Sequence, residues 1–214
     1  VYGDDPRLPK LEDMAPNPLS PYAVQKLAAE YYAQMFYDLH GLETTVLRYF
    51  NVYGPRQDPS SPYSGVISIF MTKALLNEPA VIFGDGNQSR DFIYVQDVVR
   101  ANLLAATIQG AGGQVINIGS GKSVAINQLW QKICALSGQN LKPEYAPQRP
   151  GDIVESVAGI ESAGARLGFE CEITFEKGLE ATFEWYRKSQ RSNKKVSGVR
   201  VSRICLIRFI CFIG

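Results

Sequence analysis

A helix with clear start and stop signals, followed at once by a buried strand, constrains the fold of this chain more than any other stretch. Ser20 can cap the free N–H groups of a first turn, Pro21 suits the first helical position, and Gly41 suits the left-handed residue that ends a helix. Residues 44–50 are rich in β-branched and aromatic side chains, which predicts a short buried strand. We therefore expect a helix over residues 21–40 and a strand directly after it.

Further helical and strand-like segments follow this unit and favour an α/β fold. Leu27, Met35 and Leu39 mark a mostly apolar stripe on the first helix. Residues 51–56 read as a turn-rich loop just past the carboxyl end of the strand, which is where open α/β sheets bind ligands. Strands are expected over residues 80–83 and 114–118, and helices over residues 66–77, 95–109, 126–137, 160–167 and 179–188.

Composition narrows the classes of function. The 214 residues are 45% hydrophobic and carry a net charge of +1, which is typical of a globular protein and gives no sign of nucleic-acid or membrane binding. The four cysteines form no C-x-x-C pair, and His40 is the single histidine. We therefore expect no metal site and no disulfide framework, and the default location is a reducing cytoplasm.

The last segment, residues 191–214, differs in composition from the rest. It is first basic and then apolar and cysteine-bearing, and its apolar part is too short to span a bilayer. We expect residues 1–190 to form the folded body and residues 191–214 to lie outside it. A surface helix or a membrane anchor is the alternative for this segment.

Tyr22 and Lys26 are the first candidate for chemistry. Four positions apart on a helix, they share one face, one turn from each other. An ammonium near a phenol favours the phenolate, so the tyrosine could serve as an acid and a base near neutral pH. In the alternative, Tyr22 packs against its neighbours and Lys26 is solvated. The pair alone leaves both readings open.

Six motifs occur in an order and spacing that resemble one family. They are V-Y-G, S-P-Y-A-V-Q-K, R-Y-F-N-V-Y-G-P-R-Q, I-F-G-D-G-x-x-x-R-D-F-I-Y-V-x-D, N-I-G-S-G and R-P-G-D. Over residues 1–188 the chain resembles the nucleotide-sugar epimerase/dehydratase branch of the extended short-chain dehydrogenases. The resemblance implies an α/β fold: the C-terminal half of a Rossmann-type doubly wound sheet, with a small α/β substrate-binding domain interleaved.

One departure from the family pattern concerns the cofactor. The family holds the NAD pyrophosphate at a G-x-x-G-x-x-G turn, which this sequence does not contain, and a catalytic serine or threonine precedes its V-Y-G motif. We therefore expect the chain to be the C-terminal portion of a longer enzyme, with no obvious seat for the adenosine half of NAD.

The resemblance implies NAD as the cofactor and gives four residues a place beside it. Tyr22 would be the acid/base at the sugar 4-hydroxyl, and Lys26 would bind the nicotinamide ribose and keep Tyr22 acidic. Tyr49 and Phe50 match residues next to the nicotinamide, although aromatic residues at a strand end also pack in a core.

A UDP-sugar substrate is implied by a second set of residues. The resemblance gives Asn51, Arg90 and Arg149 to the diphosphate, Asp152 to the nucleotide ribose, Val81 and Phe83 to uracil, and Ser156 to the 2-substituent of the sugar, where a small residue leaves room for an N-acetyl group. Without the resemblance, these would be ordinary turn, packing and surface residues.

The function that follows is NAD-dependent epimerisation at C4 of a UDP-sugar through a 4-keto intermediate. The sugars are glucose and galactose and also their N-acetylated forms. A nucleotide-sugar 4,6-dehydratase or a UDP-glucuronate decarboxylase is one alternative, and an inactive fragment with residual nucleotide binding is another. The resemblance also implies a homodimer in the full-length parent, paired through the first helix.

Overall fold

The computed structural model describes residues 1–60, 65–149 and 151–196 of the chain. Its helices are α1 (Pro21–His40), α2 (Val66–Leu75), α3 (Val95–Thr107), α4 (Ile126–Ser137), α5 (Glu161–Leu167) and α6 (Phe175–Val196). Its strands are β1 (Thr45–Tyr49), β2 (Asn51–Tyr53), β3 (Val81–Phe83), β4 (Ser89–Tyr94), β5 (Gln114–Ile118), β6 (Ser123–Ala125), β7 (Glu144–Ala146) and β8 (Glu155–Ser156).

The strands pair mostly in parallel. β1 lies alongside β5, and β2 lies alongside β4, both in parallel. β4 also pairs with β6 in antiparallel and with β8 in parallel, while β3 and β7 form a separate parallel pair. Since only Phe50 separates β1 from β2, one nearly continuous stretch of chain pairs first with β5 and then with β4.

Two apolar clusters hold these strands in place. The larger cluster joins β2, β3 and β4 to α2, α4 and α6, with Phe70 and Trp130 in edge contact at its centre. The smaller joins β1, β4 and β5 to α3 and α5 through residues such as Ile116, Val98 and Leu167. Each fully buried side chain of this size contributes about 1.5–3 kcal/mol. The clusters therefore fix the strand ends from which the candidate site is built.

Helix α1 has the predicted bounds and the predicted caps. The Ser20 Oγ accepts a hydrogen bond from the Ala23 N–H at 3.2 Å, and Gly41 adopts a left-handed φ of 64°. The expected apolar stripe packs less than predicted. Leu27 is buried, but Met35 and Leu39 are exposed, because α1 is covered by the described chain on one narrow side only.

The structure corrects the predicted loop over residues 51–56. Residues Asn51–Tyr53 form β2, because β4 offers a parallel partner, with Asn51 opposite Phe92 and Tyr53 opposite Tyr94. The short strands β6, β7 and β8 were not predicted, since each consists of two or three residues and depends on a distant partner.

The last helix is longer than predicted. We expected a helix over residues 179–188, whereas α6 begins at Phe175 and runs to Val196, which includes the first six residues of the segment 191–214. The rest of the segment, residues 197–214, lies outside the described residues. Within the described part, no helix has both the length and the apolar character needed to cross a membrane.

Candidate active site

A cavity of about 280 Å³ opens between the N-terminus of α1, the carboxyl end of β1 and strand β8. It brings together most of the predicted site residues, namely Tyr22, Lys26, Tyr49, Phe50, Asn51, Arg90 and Ser156. They come from four separate parts of the sequence. They meet because β4 pairs with both β2 and β8, β1 leads into β2 through Phe50, and α1 packs on β1.

The phenol and the ammonium predicted from the sequence lie together on α1. Lys26 Nζ is 5.2 Å from the centroid of the Tyr22 ring, and both side chains are half-buried in the cavity wall. A cation at this distance interacts with the electron-rich ring. A phenol beside an ammonium in a cavity wall is a combination that can transfer a proton to a ligand.

Tyr49 and Phe50 follow each other at the carboxyl end of β1 and line the same cavity. The Tyr49 hydroxyl donates to Asn102 Oδ1 at 2.8 Å, and burial raises the pKa of Tyr49. This phenol therefore stays protonated at neutral pH. The Phe50 ring lies 6.3 Å from that of Tyr2, and the exposed Asn51 opens β2 directly after it.

Arg90 and Asp152 form an ion pair at the rim of the cavity. Arg90 Nη2 lies 2.6 Å from Asp152 Oδ1, and Arg90 Nη1 donates to the carbonyl of Ser89. Burial lowers the pKa of Arg90, and the carboxylate of Asp152 offsets part of that effect. Ser156 stands opposite Arg90 in the β4–β8 register, and both residues line the cavity.

Three predicted site residues lie outside the cavity lining, on or near β3. Val81 is exposed, and Phe83 is half-buried. The Arg149 Cζ lies 3.8 Å from the centroid of the Phe83 ring, in a cation–π contact. Asp152 does not line the cavity either, but its ion pair with Arg90 connects it to the wall. The predicted uracil contacts and the second arginine thus form a separate group.

Asp91 anchors the loop that follows β5, a role we did not predict. Its fully buried carboxylate accepts hydrogen bonds from the N–H and hydroxyl of Ser120 and from the N–H groups of Gly121 and Ala158. Burial raises the pKa of Asp91 although these hydrogen bonds lower it. The anchor holds the strand that carries Ser156. Its only sequence signal was its place directly after Arg90.

Tyr2, Lys10 and Arg48 also line the cavity and were missed as site residues. Tyr2 and Arg48 stand inside the V-Y-G and R-Y-F-N motifs, so the motifs contained a signal for them. Lys10 gave none, because a lysine in a proline-rich loop normally lies in solvent. Here it is buried, and its Nζ donates to the carbonyl of Asp5.

Among the described residues, no three His, Cys, Asp or Glu side chains lie close enough together to hold a metal ion, and Cys134 and Cys171 are free thiols.

Comparison with known proteins gives one family and several named relatives. The model of the NAD dependent epimerase/dehydratase family matches residues 1–119. A putative UDP-glucose 4-epimerase of Methanocaldococcus jannaschii is 40% identical over 192 residues, which is 90% of this chain and 61% of that protein. The chain therefore spans about three-fifths of the length of this relative.

Two solved structures superimpose on most of the chain. The UDP-glucose 4-epimerase of Thermotoga maritima, solved with UDP-glucose, is 42% identical with a TM-score of 0.84 over 88% of this chain and 60% of that one. A UDP-N-acetylglucosamine 4-epimerase of Methanobrevibacter ruminantium M1, solved with UDP-N-acetylmuramic acid, is 43% identical with the same TM-score and the same coverage. The expected α/β architecture of the Rossmann type is thereby confirmed.

Proposed function

The chain belongs to the NAD-dependent epimerase/dehydratase family, and from that membership we propose that it takes part in the 4-epimerisation of a UDP-sugar. Membership confirms the family indicated by the motifs and NAD as the cofactor of that family. The observation that carries the proposal is the cavity in which Tyr22 and Lys26 meet Arg90 and Ser156.

The cavity residues fit the nicotinamide end of NAD. A phenol and an ammonium on α1 face the aromatic residues Tyr49 and Phe50 across one space, which offers a polar side to a ribose and a flat side to a ring. We propose that these four side chains hold that end of the cofactor. NAD held there would supply a reversible hydride acceptor for C4 of the sugar.

Tyr22 performs the proton transfer in this proposal. It removes the proton from the sugar 4-hydroxyl while C4 becomes a ketone, and it returns the proton when the ketone is reduced. Lys26 hydrogen-bonds the ribose and stabilises the tyrosinate by its positive charge. Inversion requires the 4-keto sugar to turn over in the pocket, so the sugar itself must be held loosely and the nucleotide firmly.

The nucleotide end is assigned to the group around Arg90. The diphosphate replaces Asp152 as the partner of Arg90 and contacts Asn51 and Arg149, and Asp152 becomes available to the ribose hydroxyls. Uracil lies against Val81 and Phe83, with the Phe83 ring as its stacking surface. Ser156, small and beside Arg90, leaves space at the sugar for an N-acetyl group.

We extend the proposal to the setting of the enzyme. A homodimer would pair through α1, whose outer face carries exposed apolar side chains, among them Met35 and Leu39. The cytoplasm, where NAD and UDP-sugars are available and where Cys134 and Cys171 would stay reduced, is the proposed location. Residues 191–196 continue α6. We propose that the segment 191–214 takes no part in the site.

The test is to supply the chain with NAD and UDP-N-acetylglucosamine and to follow the anomeric proton signals by NMR. We expect UDP-N-acetylgalactosamine, and in a parallel reaction UDP-galactose from UDP-glucose. A 4-keto-6-deoxy product, or carbon dioxide from UDP-glucuronate, would instead identify a dehydratase or a decarboxylase. No product together with a UDP-induced rise in melting temperature would leave nucleotide binding as the function of this chain.

A further inference from the structure

A buried ion pair joins the helix that carries Tyr22 to the strand that leads into the cavity. Arg48 Nε and Nη2 donate to the two carboxylate oxygens of Glu30 at 2.9 and 2.6 Å. The side chains of Arg48 and Glu30 are 7% and 2% exposed. Two parallel hydrogen bonds between planar groups fix both a distance and an orientation. The contact therefore sets how α1 is seated on β1.

The two partners are placed to transmit that orientation to the reacting groups. Glu30 lies one helical turn beyond Lys26 and two beyond Tyr22, on the same face of α1. Arg48 immediately precedes Tyr49 and Phe50 and lines the cavity itself. We propose that the Glu30–Arg48 pair is a positioning device that holds Tyr22 and Lys26 in register with the strand end. This proposal rests on the proposed function. In it, the ion pair acts through Tyr22 and Lys26 and adds no contact to the substrate.

Further hydrogen bonds extend the pair beneath the cavity. Arg48 Nη1 donates to the Tyr2 hydroxyl at 2.8 Å, and that hydroxyl donates to Asn117 Oδ1 on β5. The Asn117 N–H donates in turn to Glu12 Oε1 at 2.7 Å. Helix α1, strands β1 and β5 and the segment before α1 are thereby joined in one network of polar contacts.

The guanidinium of Arg48 is held in its charged form. Burial alone would lower its pKa, but the hydrogen bonds and charges of Glu30 and Tyr2 outweigh burial, and the net pKa is raised. Arg48 also lies over the Tyr2 ring, with its Cζ 5.0 Å from the ring centroid. All of its hydrogen-bonding nitrogens thus have partners in the described chain, which is the condition for keeping a buried charge.

Stability alone is a poor explanation for this pair. Apolar side chains of the same volume often stabilise a protein as well as a buried ion pair does, because they avoid the desolvation of two charges. The pair is also one of few inward contacts of the helix, since Leu27 and Glu30 are the buried residues of α1. Because α1 has so little apolar packing, the hydrogen bonds between Glu30 and Arg48 determine the orientation of the helix.

The test replaces the forked guanidinium of Arg48 by the ammonium of a lysine, which keeps the positive charge. In Arg48→Lys the ammonium can reach one carboxylate oxygen but cannot make the bidentate contact. We expect kcat for UDP-N-acetylglucosamine to fall on the order of 100-fold, as when reacting groups are misplaced by about 1 Å. KM should stay within about twofold, because the nucleotide contacts around Arg90 lie on other elements. Glu30→Gln, which keeps one acceptor oxygen, should likewise lower kcat and leave KM within about twofold. It replaces Arg48→Lys in the test if the lysine variant does not fold.

Arg100→Lys is the matched control. Arg100 also pairs with a buried carboxylate, that of Asp97, at 3.2 Å, but it lies on α3 and does not line the cavity. We expect this change to leave kcat and KM within about twofold of the unaltered chain. An equal loss of kcat in both lysine variants would overturn the proposal, as would a loss confined to KM in Arg48→Lys.

Amide hydrogen exchange gives a readout that does not need turnover. Arg48→Lys should accelerate exchange in the first turns of α1, residues 22–30, and leave α4 at its original rate. Faster exchange throughout the molecule would mean general destabilisation and would overturn the proposal. If the unaltered chain turns over no UDP-sugar, the proposed function fails, while the exchange pattern still decides whether the pair positions α1.

Discussion

Tyr22 and Tyr32 lie on the same helix in opposite surroundings, which allows the proposed acid/base to be tested against a matched residue. Tyr22 is half-buried beside Lys26, whereas Tyr32 is 64% exposed. We expect Tyr22→Phe to lower kcat by about 10²- to 10⁴-fold, because the proton at the sugar 4-hydroxyl loses its acceptor. Turnover measured by NMR should be unchanged in Tyr32→Phe, and calorimetry should show unchanged UDP binding in both variants. Full activity in Tyr22→Phe would show that Tyr22 is not the acid/base.

Ser156 provides a second prediction about single residues. In the β4–β8 register it stands opposite Arg90 and lines the cavity, so a larger side chain there would reduce the space for the sugar. Ser156→Tyr should lower kcat/KM for UDP-N-acetylglucosamine by about 10-fold or more relative to UDP-glucose, because a bulky group clashes with the N-acetyl substituent. Ser156→Ala is the control, with the ratio unchanged. An equal loss on both sugars would show that Ser156 does not select by size.

Individual site residues differed in how far the sequence could predict them. Tyr22 and Lys26 were predicted because their spacing on a helix is local information and because motifs surround them. Arg90 and Ser156 were predicted only through the resemblance. Glu30, Lys10 and the roles of Tyr2 and Arg48 were not found, since burial and long-range hydrogen bonds decide what a charged residue does. An internal glutamate on a helix is ordinarily solvent-exposed.

Elements were predicted well where their signals are local. The bounds of α1, β5 and α4 agree with the sequence, because caps, turn residues and side-chain periodicity lie within each segment. Strand β2 was taken for a loop, and β6 and β8 were not seen, because each pairs with β4, far from it in the chain. Short strands are determined by their partners more than by their own residues.

The close approach of α6 to β2 gives a prediction at the level of elements. A Cβ added at Gly178 would lie 2.3 Å from Tyr53 Oη and 2.9 Å from Tyr94 Cδ2. Tyr53 cannot move aside easily, since it is buried and its hydroxyl donates to the Phe175 carbonyl at 3.0 Å. Gly178→Ala should therefore lower the free energy of unfolding by about 1–3 kcal/mol in urea denaturation.

The control for this substitution is another helical glycine. At Gly164 on α5, the nearest atom to an added Cβ would be the Phe169 carbonyl oxygen at 3.8 Å. Gly164→Ala should raise the free energy of unfolding by about 0.5–1 kcal/mol, because alanine favours the helix over the unfolded chain. A loss of stability at Gly164 equal to that at Gly178 would contradict the packing argument.

The molecule as a whole exposes apolar side chains along α1, and the proposed homodimer would cover them. Met35 and Leu39 are 52% and 68% exposed on that helix. We expect the double substitution Met35→Lys, Leu39→Lys to convert a dimer to a monomer in sedimentation velocity, because charges at a contact must be desolvated. Val99→Lys with Leu103→Lys, on the exposed side of α3, should leave the mass unchanged. A monomer before any substitution would refute pairing through α1.

The walls of the cavity come from segments that are far apart along the chain. Tyr2 contacts Asn117 across 115 positions, and the Lys10 carbonyl accepts from Asn117 across 107. Closing such long loops is entropically unfavourable and makes folding slow when many contacts are of this kind. The cavity therefore forms only when these distant segments pack together. A nucleotide that binds there binds the folded protein and not a partly folded chain. A nucleotide added during refolding should therefore leave the folding rate unchanged. It should lower the unfolding rate, because it binds only the folded protein.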